Sequence, residues 1–205
     1  MKPPFGWPAV LSSGPVTVRP LRRRDAVAWS DLRIRNQDWL GPWEGQPAGA
    51  RPATWAERHS PQVFAAMLRV LHREARAGRA LPFGITVAGR LAGQVTVSNV
   101  VRGAFDSGYV GYWVDGALAG RGVAPTALAL VADHCLTTAG MHRLEANIRP
   151  ENAASRRVVE KLGFRAEGRH ERYLYIDGAW RDHLSFALTT EDRPEAGVLT
   201  RMSSL

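Results

Sequence analysis

Apolar and polar positions alternate along several short segments of this chain, which is the pattern of half-buried strands. Strand patterns of this kind occupy seven segments: 16–18, 83–87, 95–97, 109–114, 143–148, 172–176 and 183–188. In segment 143–148, Leu144, Ala146 and Ile148 face one way, and Arg143, Glu145 and Asn147 face the other. The last two strands are separated by Asp177-Gly178, a dipeptide that favours a hairpin turn.

Other segments repeat their apolar residues every three or four positions, which predicts helices. Asp25 is a good N-cap for a first helix, with Trp29, Leu32 and Asn36 on one face. A short helix over 153–162 ends at Gly163. Two longer helices have these apolar faces: Val63, Ala66, Met67, Val70 and Leu71 in the first, and Leu128, Val131, Ala132, Cys135 and Leu136 in the second.

The order of these elements is strand, two helices, three strands, helix, strand, helix and two strands. This order predicts an α/β fold, a single domain in which helices flank one mixed sheet. The unit over 109–148 should be a right-handed parallel crossover. We expect a Pro/Gly/Ser-rich N-terminal arm over 1–15, the folded domain over 16–190 and a flexible C-terminal tail over 191–205.

Composition narrows the class of protein without changing the predicted fold. The 205 residues carry 27 Lys and Arg against 19 Asp and Glu, a net charge of +8 that favours anionic partners such as nucleotide phosphates or RNA. Cys135 is the only cysteine, which excludes a disulfide framework and a Cys-based zinc site. The histidines form no i, i+4 pair, so we expect no metal. The chain shows no signal-peptide or membrane-span pattern, so a cytoplasmic protein is expected.

The segment 114–125 lies between a predicted strand and the helix that has Pro125 in its first turn. Its small residues let the backbone approach a ligand, and the free N–H groups at the start of a helix suit a pyrophosphate. A Walker loop is excluded because no Gly-Lys-Ser/Thr follows, and a dinucleotide fingerprint would need glycine where Pro125 stands.

This segment resembles the acetyl-CoA loop of the GCN5-related N-acetyltransferases, whose pattern is Gln/Arg-x-x-Gly-x-Gly/Ala. Gly122 and Ala124 match that pattern, and Ala119 stands at its first position. Downstream, Asn152-Ala153-Ala154-Ser155 and Glu160-Lys161-Leu162-Gly163-Phe164 are similar to the family's second cofactor segment. The resemblance covers most of 16–190. Within the family, Pro42-Trp43-Glu44 and Gly111-Tyr112-Trp113 look most like the ribosomal-protein-alanine N-acetyltransferases.

The resemblance implies a sheet that splays between strands 109–114 and 143–148 to admit the pantetheine arm of acetyl-CoA. It implies main-chain bonds from Trp113 and Val114, with the Val114 N–H stabilising the oxyanion. The residues implied to hold the pyrophosphate are Arg121, Gly122, Val123, Ala124 and Thr126. Asn152 and Ser155, in the second cofactor segment, are also implied to bind the cofactor.

Catalysis in this family needs a neutral amine and a proton for the departing thiolate. Ser155, three positions after the motif asparagine, resembles the serine that a subset of relatives uses as the thiolate donor; a local backbone bond is the alternative. Glu145 is a candidate base that shares a strand face with Asn147, and Glu44 lies in the predicted acceptor loop. For both carboxylates a surface ion pair is the alternative. Trp43, Glu44 and Asn147 are the predicted substrate-binding residues.

The function implied is transfer of acetyl from acetyl-CoA to an N-terminal amine, in particular alanine of a small-subunit ribosomal protein. Acetylation of an aminoglycoside or another small amine remains an alternative within catalysis. A non-catalytic ribosome- or RNA-binding module is the alternative outside it. The expected partner is a ribosomal protein N-terminus, with weak RNA contact as an open addition, and the protein is expected to be a monomer or homodimer without membrane contact.

Overall fold

The computed structural model describes residues 4–49 and 53–202. In this part of the chain the α-helices are α1 (Ala26–Arg35), α2 (Gln37–Leu40), α3 (Trp55–Arg58), α4 (Pro61–Arg76), α5 (Val123–Leu136) and α6 (Ala153–Lys161). The strands are β1 (Leu11–Ser13), β2 (Val16–Pro20), β3 (Leu81–Val87), β4 (Arg90–Val101), β5 (Ser107–Val114), β6 (Arg143–Ile148), β7 (Arg165–Ile176) and β8 (Ala179–Thr189).

The strands form one mixed sheet in the order β1-β2-β3-β4-β5-β6-β8-β7. Within the described residues, β5 and β6 are the parallel pair, and every other neighbouring pair is antiparallel. A parallel pair needs a long crossover, and α5 supplies it between β5 and β6. The predicted α/β domain with a mixed sheet is therefore confirmed.

Helices cover both faces of the sheet. On one face, α5 packs with buried side chains such as Leu128 and Val131 against Val95 and Val97 of β4. On the other face, Trp29 of α1 and Phe64 of α4 form a second, smaller core. Because successive strand residues point to opposite faces, Gln94 and Thr96 of β4 belong to the side of α1. The two faces of the sheet therefore meet different helices.

The apolar face predicted for the first of the two longer helices, α4, is wrong by about one residue. In α4 the buried residues are Phe64, Leu68 and Ala75, whereas Val63 and Val70 are exposed. Phe64 lies against Trp29 with a ring-centroid distance of 5.1 Å. The aromatic contact with α1 therefore sets the rotation of α4, and the run of smaller apolar residues does not.

The predicted arm and tail pack against the domain where the structure describes them. Leu11–Ser13 pairs with β2, and Trp7 packs against the main core. At the other end, the Asp133 carboxylate of α5 accepts a 2.9 Å bond from the N–H of Val198, which is fully buried. Residues 191–202 thus differ from the loose tail expected from their polarity, while 1–3 and 203–205 lie outside the described residues.

No helix in the described part of the chain combines the length and the apolar character needed to cross a membrane.

Candidate active site

The sheet opens between β5 and β6. Pairing joins Ser107, Gly108 and Tyr109 to Arg143, Leu144 and Glu145 and stops there, so the rest of β5 has no partner on β6. A cleft of about 640 Å³ lies at this opening. Side chains from both faces line it, including Trp113 and Thr96 from the α1 side, and Tyr112 and Val158 from the α5 side. The predicted splay is therefore present.

The register of β5 decides which peptide groups face the opening. Asp115 N donates to Ala92 O at 2.8 Å, and in an antiparallel pair such bonded positions alternate. Gly111 and Trp113 therefore direct their peptide groups toward β4, and Tyr112 and Val114 direct theirs toward the opening. The expected main-chain contact from Trp113 is wrong for this reason, although its side chain lines the cleft.

One of the peptide groups at the opening is already engaged. The indole Nε1–H of Trp39 donates to the carbonyl oxygen of Val114 at 3.2 Å. The Val114 N–H, on the same side of the strand, has no bond to β4 because the register places it toward the opening. This geometry fits the predicted oxyanion donor.

The turn before α5 presents backbone amides to the cleft. Gly122 is the N-cap of α5 and has a φ of 77°, a left-handed conformation that favours glycine. The first N–H groups of a helix have no partner within it, and Pro125 has none to offer. Val123 and Ala124 therefore present the free amides at this end. Arg121 departs from its prediction because its N–H donates to Leu118 O at 3.3 Å.

Beside this turn lies a second cavity of about 430 Å³. The side chains of Arg121 and Thr126 line it, and it shares Gly122 and Val123 with the main cleft. The predicted pyrophosphate residues are thus brought together around the start of α5, but they are divided between two adjoining cavities.

Asn36 fixes the turn to the end of α1. Its amide oxygen accepts from Gly116 N at 2.9 Å, and its amide nitrogen donates to Asp115 Oδ1 at 3.0 Å. Arg35 also forms an ion pair with Asp115. Asn36 is buried, as the predicted helix face requires. The helix α1 therefore holds the start of the turn whose other end presents the Val123 and Ala124 amides to the cleft.

Ser155 lies at the cleft in the first turn of α6. The Asn152 side chain caps that turn by accepting from Ser155 N at 3.0 Å. The Ser155 hydroxyl lies 2.8 Å from the hydroxyl of Tyr112, which also lies 3.1 Å from Ser155 O. Burial raises the pKa of Tyr112 above its ordinary value, so the phenol stays protonated. Tyr112 was not predicted as a functional residue.

Glu44 lines the cleft on the α1 side and belongs to a charged cluster. Its carboxylate forms an ion pair with Arg33, whose guanidinium lies 5.1 Å from the Trp113 ring and 5.2 Å from the Trp55 ring. Burial, followed by the nearby Arg58, lowers the pKa of Arg33 to about 10. Arg33 stays protonated at neutral pH and neutralises Glu44.

His59 completes this cluster as a neutral ring. Its Nδ1 lies 2.7 Å from Trp55 O, a carbonyl that can only accept, so Nδ1 carries the proton. Nε2 then accepts from Arg33 at 2.9 Å. Glu44 Oε1 lies 2.8 Å from the same nitrogen, so a protonated His59 could donate to Glu44 only by losing the bond from Arg33. Burial, and then Arg33, lowers the pKa of His59 to about 4.

Trp43 lies at the rim of the cleft. The Arg149 guanidinium lies 5.5 Å from its ring and donates to Pro42 O at 2.7 Å. Trp43 and Glu44 are therefore brought together at the cleft as predicted.

Glu145 and Asn147 lie near the opening but do not line the cleft. Glu145 is buried, accepts from Arg143 Nε at 2.8 Å and lies 3.4 Å from the Ser107 hydroxyl. Because its carboxylate is paired with Arg143, Glu145 is not available as the base that was considered for it. Asn147 donates to the Tyr173 hydroxyl at 3.2 Å, and its buried Oδ1 has no partner in the described residues.

Sequence reasoning missed Arg33, Tyr112 and the polar pair Gln94 and Thr96, all of which line the cleft. A signal was available for Arg33, which lies four residues after Trp29 and so on the same helix face. No comparable signal marked Tyr112, because its partner Ser155 lies 43 residues away in the chain.

A family model described as an acetyltransferase (GNAT) domain matches residues 16–165. The chain belongs to the GNAT acetyltransferases. It is 34% identical over 184 residues to the ribosomal protein uS5-alanine N-acetyltransferase of Escherichia coli, covering 89% of this chain and 91% of that protein.

Two solved structures extend this likeness to the whole GNAT fold. Mycobacterium smegmatis RimJ in complex with CoA-disulfide superposes with a TM-score of 0.91 at 43% identity, covering 97% of this chain and 95% of that one. The ribosomal-protein-S5-alanine acetyltransferase of Vibrio fischeri gives a TM-score of 0.80 at 29% identity, covering 91% and 100%. The resemblance predicted from the Gly122 and Asn152 segments is confirmed.

Proposed function

We propose that this GNAT acetyltransferase transfers acetyl from acetyl-CoA to the α-amine of a protein N-terminus, in particular alanine of a small-subunit ribosomal protein. The observation that carries the proposal is the cleft at the splay, which is lined from both faces of the sheet. One face offers helix amides and Ser155, and the other offers Glu44 and Trp43. The names of the relatives in Escherichia coli and Vibrio fischeri support the acceptor class.

The residues on the α5 side suit acetyl-CoA, which supplies an activated acetyl group. The N–H groups of Val123 and Ala124, with Gly122, would hold the pyrophosphate at the start of α5. The Val114 N–H would donate to the carbonyl oxygen on which charge develops. Trp39 supports this role because its bond to Val114 O fixes the orientation of that strand residue.

Ser155 would give its hydroxyl proton to the departing thiolate and would be reprotonated, directly or through Tyr112, by the water that takes the proton of the amine. Its hydroxyl lies at the cleft, and Asn152 holds the first turn of α6 in place. Val159, seven positions after Asn152, is fully buried and offers no proton.

The acceptor amine needs little help to lose its proton. An α-amino group has a pKa of about 7.7–8.0 and lysine one of about 10.4, so roughly a tenth or more of the former is neutral near pH 7. Glu44 and Glu145 are both held in ion pairs with arginines. We therefore assign Glu44 to shaping the acceptor side and assign no base, so that water takes the proton.

A ribosomal substrate would place the protein in the cytoplasm, and the net charge of +8 would suit a substrate embedded in RNA. The proposal includes weak contact with RNA and a protein that acts as a monomer or a homodimer.

The deciding experiment uses the purified chain, acetyl-CoA and peptides that differ only in their first residue. Free thiol and peptide mass are followed together. We expect the peptide that begins with alanine to be acetylated most efficiently, with modification confined to its α-amine. Turnover of an aminoglycoside or another small amine, with none for any peptide, would overturn the proposal. Acetyl-CoA binding without transfer to either class would indicate a non-catalytic module.

A further inference from the structure

The α1 side of the cleft contains a notch at Gly111, in the middle of β5. Gly111 is exposed although β5 is a central strand. A Cβ built on it would meet no atom within 4 Å. Tyr109 and Trp113 lie two positions away on the same face, so a bare position separates two large aromatic side chains. Gly111 lines the cleft itself.

Backbone conformation does not explain the glycine. Gly111 lies outside the left-handed region and pairs regularly with Thr96 of β4. Its peptide groups face β4, so they bind nothing in the cleft. Glycine in a strand interior lowers stability and often marks close approach of a ligand or backbone. Glycine at this position therefore leaves open space in the cleft where a side chain would otherwise stand.

The Trp113 side of the notch and the neighbouring strand β4 are held in place. The Trp113 ring lies edge-on to Trp29 at 6.3 Å and close to the Arg33 guanidinium. On the neighbouring strand, Trp29 Nε1 donates to Gln94 Oε1 at 2.9 Å, and Gln94 Nε2 donates to Thr96 Oγ1 at 3.0 Å. Because Thr96 accepts from Gln94, its own hydroxyl proton is available for a group in the cleft.

We propose that the Gly111 notch receives the side chain of the acceptor's first residue and limits it to a small group. The Thr96 hydroxyl donates to the first carbonyl of the acceptor peptide. Gly111 and Thr96 are thus specificity-determining residues on the α1 side of the cleft. This inference rests on the proposed N-terminal acetylation and names the feature that selects its substrates.

The variant Gly111→Ala tests the notch directly, because its added methyl group meets no neighbour and requires no strained backbone. We expect kcat/KM for a peptide that begins with alanine to fall at least tenfold, while a peptide that begins with glycine loses less than threefold. The unfolding temperature should be no lower than that of the wild type, and the acetyl-CoA affinity measured by calorimetry should be unchanged. Ala166→Val, on the exposed edge strand β7, adds bulk away from the cleft and should change kcat/KM for neither peptide.

The outcomes separate the two proposals. If the wild type acetylates peptides but Gly111→Ala slows both peptides equally, the notch assignment is overturned and the proposed function stands. If the wild type acetylates no peptide, both are overturned.

Thr96→Val removes the hydroxyl at nearly constant shape, and Thr96→Ser restores it. We expect Thr96→Val to raise the peptide KM about tenfold with kcat and acetyl-CoA affinity nearly unchanged, and Thr96→Ser to recover most of the loss. A fall in kcat alone, or no recovery in Thr96→Ser, would overturn the role of Thr96.

Discussion

The hydroxyl of Tyr112 lies 2.8 Å from the hydroxyl of Ser155, and this hydrogen bond joins β5 to α6 beside the opening of the sheet. The carbonyl oxygen of Ser155, 3.1 Å from the same phenol, can only accept. The phenol has one proton to donate. If it donates to this carbonyl, the serine hydroxyl donates to the phenol; if it donates to the Ser155 hydroxyl, the serine proton is free to point into the cleft. In the second arrangement the proposed donor has a further proton behind it, from a tyrosine that burial keeps neutral.

Ser155→Ala should lower kcat at least about a hundredfold, the ordinary scale for losing a general acid. The acetyl-CoA affinity should stay nearly constant, because the Asn152 cap bonds to the Ser155 backbone and survives the change. Steady-state kinetics and calorimetry measure the two effects separately. A parallel loss of turnover and affinity would indicate a structural role.

Tyr112→Phe should lower kcat by a smaller factor and reduce stability by about 1 kcal/mol, the usual net value of a hydrogen bond. If the two hydroxyls act in series, the Ser155→Ala/Tyr112→Phe double variant should be no slower than Ser155→Ala. Tyr175→Phe, on β7 outside the cleft, is the matched control. Additive losses in the double variant would contradict a shared proton path.

Asn36→Ala should destabilise the protein by about 2–3 kcal/mol, because it leaves the Gly116 N–H without its partner and removes one of the bonds to the buried Asp115 carboxylate, which keeps its ion pair with Arg35. The acetyl-CoA affinity should also fall, since the turn before α5 loses its attachment to α1. Thermal unfolding and calorimetry measure the changes. Gln62→Ala, at an exposed position of α4, should change neither the stability nor the acetyl-CoA affinity. An unchanged acetyl-CoA affinity in Asn36→Ala would show that the turn before α5 keeps its conformation without Asn36.

Stability should depend on pH through His59. Its pKa is about 6.5 in the unfolded chain and is lowered by burial to about 4 in the folded chain. The unfolded state therefore binds more protons between these values. The stabilisation is complete above about pH 6.5 and is lost as the pH falls toward 4, by at most about 3 kcal/mol.

His59→Gln keeps an acceptor for Arg33 but cannot titrate. Its unfolding temperature should fall less than that of the wild type between pH 7 and pH 5. His170→Gln, at an exposed position, should follow the wild type. Identical pH profiles for the wild type and His59→Gln would refute this account.

Glu145→Gln should leave the pH profile of acetyl transfer unchanged, because Glu145 lies outside the cleft in an ion pair with Arg143. We expect a loss of about 1–2 kcal/mol in stability, limited because Arg143 keeps Glu167 as a partner. A large fall in kcat that high pH reverses would identify Glu145 as a base after all.

Local patterns were sufficient to predict most elements of the fold. The α5 crossover and the β7–β8 hairpin follow from periodicity and turn residues that lie within a few positions of one another. The helix α1 begins after Asp25 as predicted, but the Asp25 carboxylate accepts from Arg19 and from Arg22 N and does not cap the helix. The rotation of α4 was predicted wrongly because Val63 and Val70 satisfy a helical period as well as Phe64 and Leu68 do. The contact between Phe64 and Trp29 decides between them, and it joins residues far apart in the chain.

The sequence by itself determined the family, the position of the amide-rich turn at Gly122 and the placement of Ser155 after its cap, because each depends on residues close together in the chain. The tertiary structure decided which peptide groups face the cleft, that Arg33 neutralises Glu44, and that Tyr112 meets Ser155. These facts depend on strand register and on side chains brought from distant segments into a low-dielectric interior. A one-residue change in register would exchange the roles of Trp113 and Val114 without altering any local pattern.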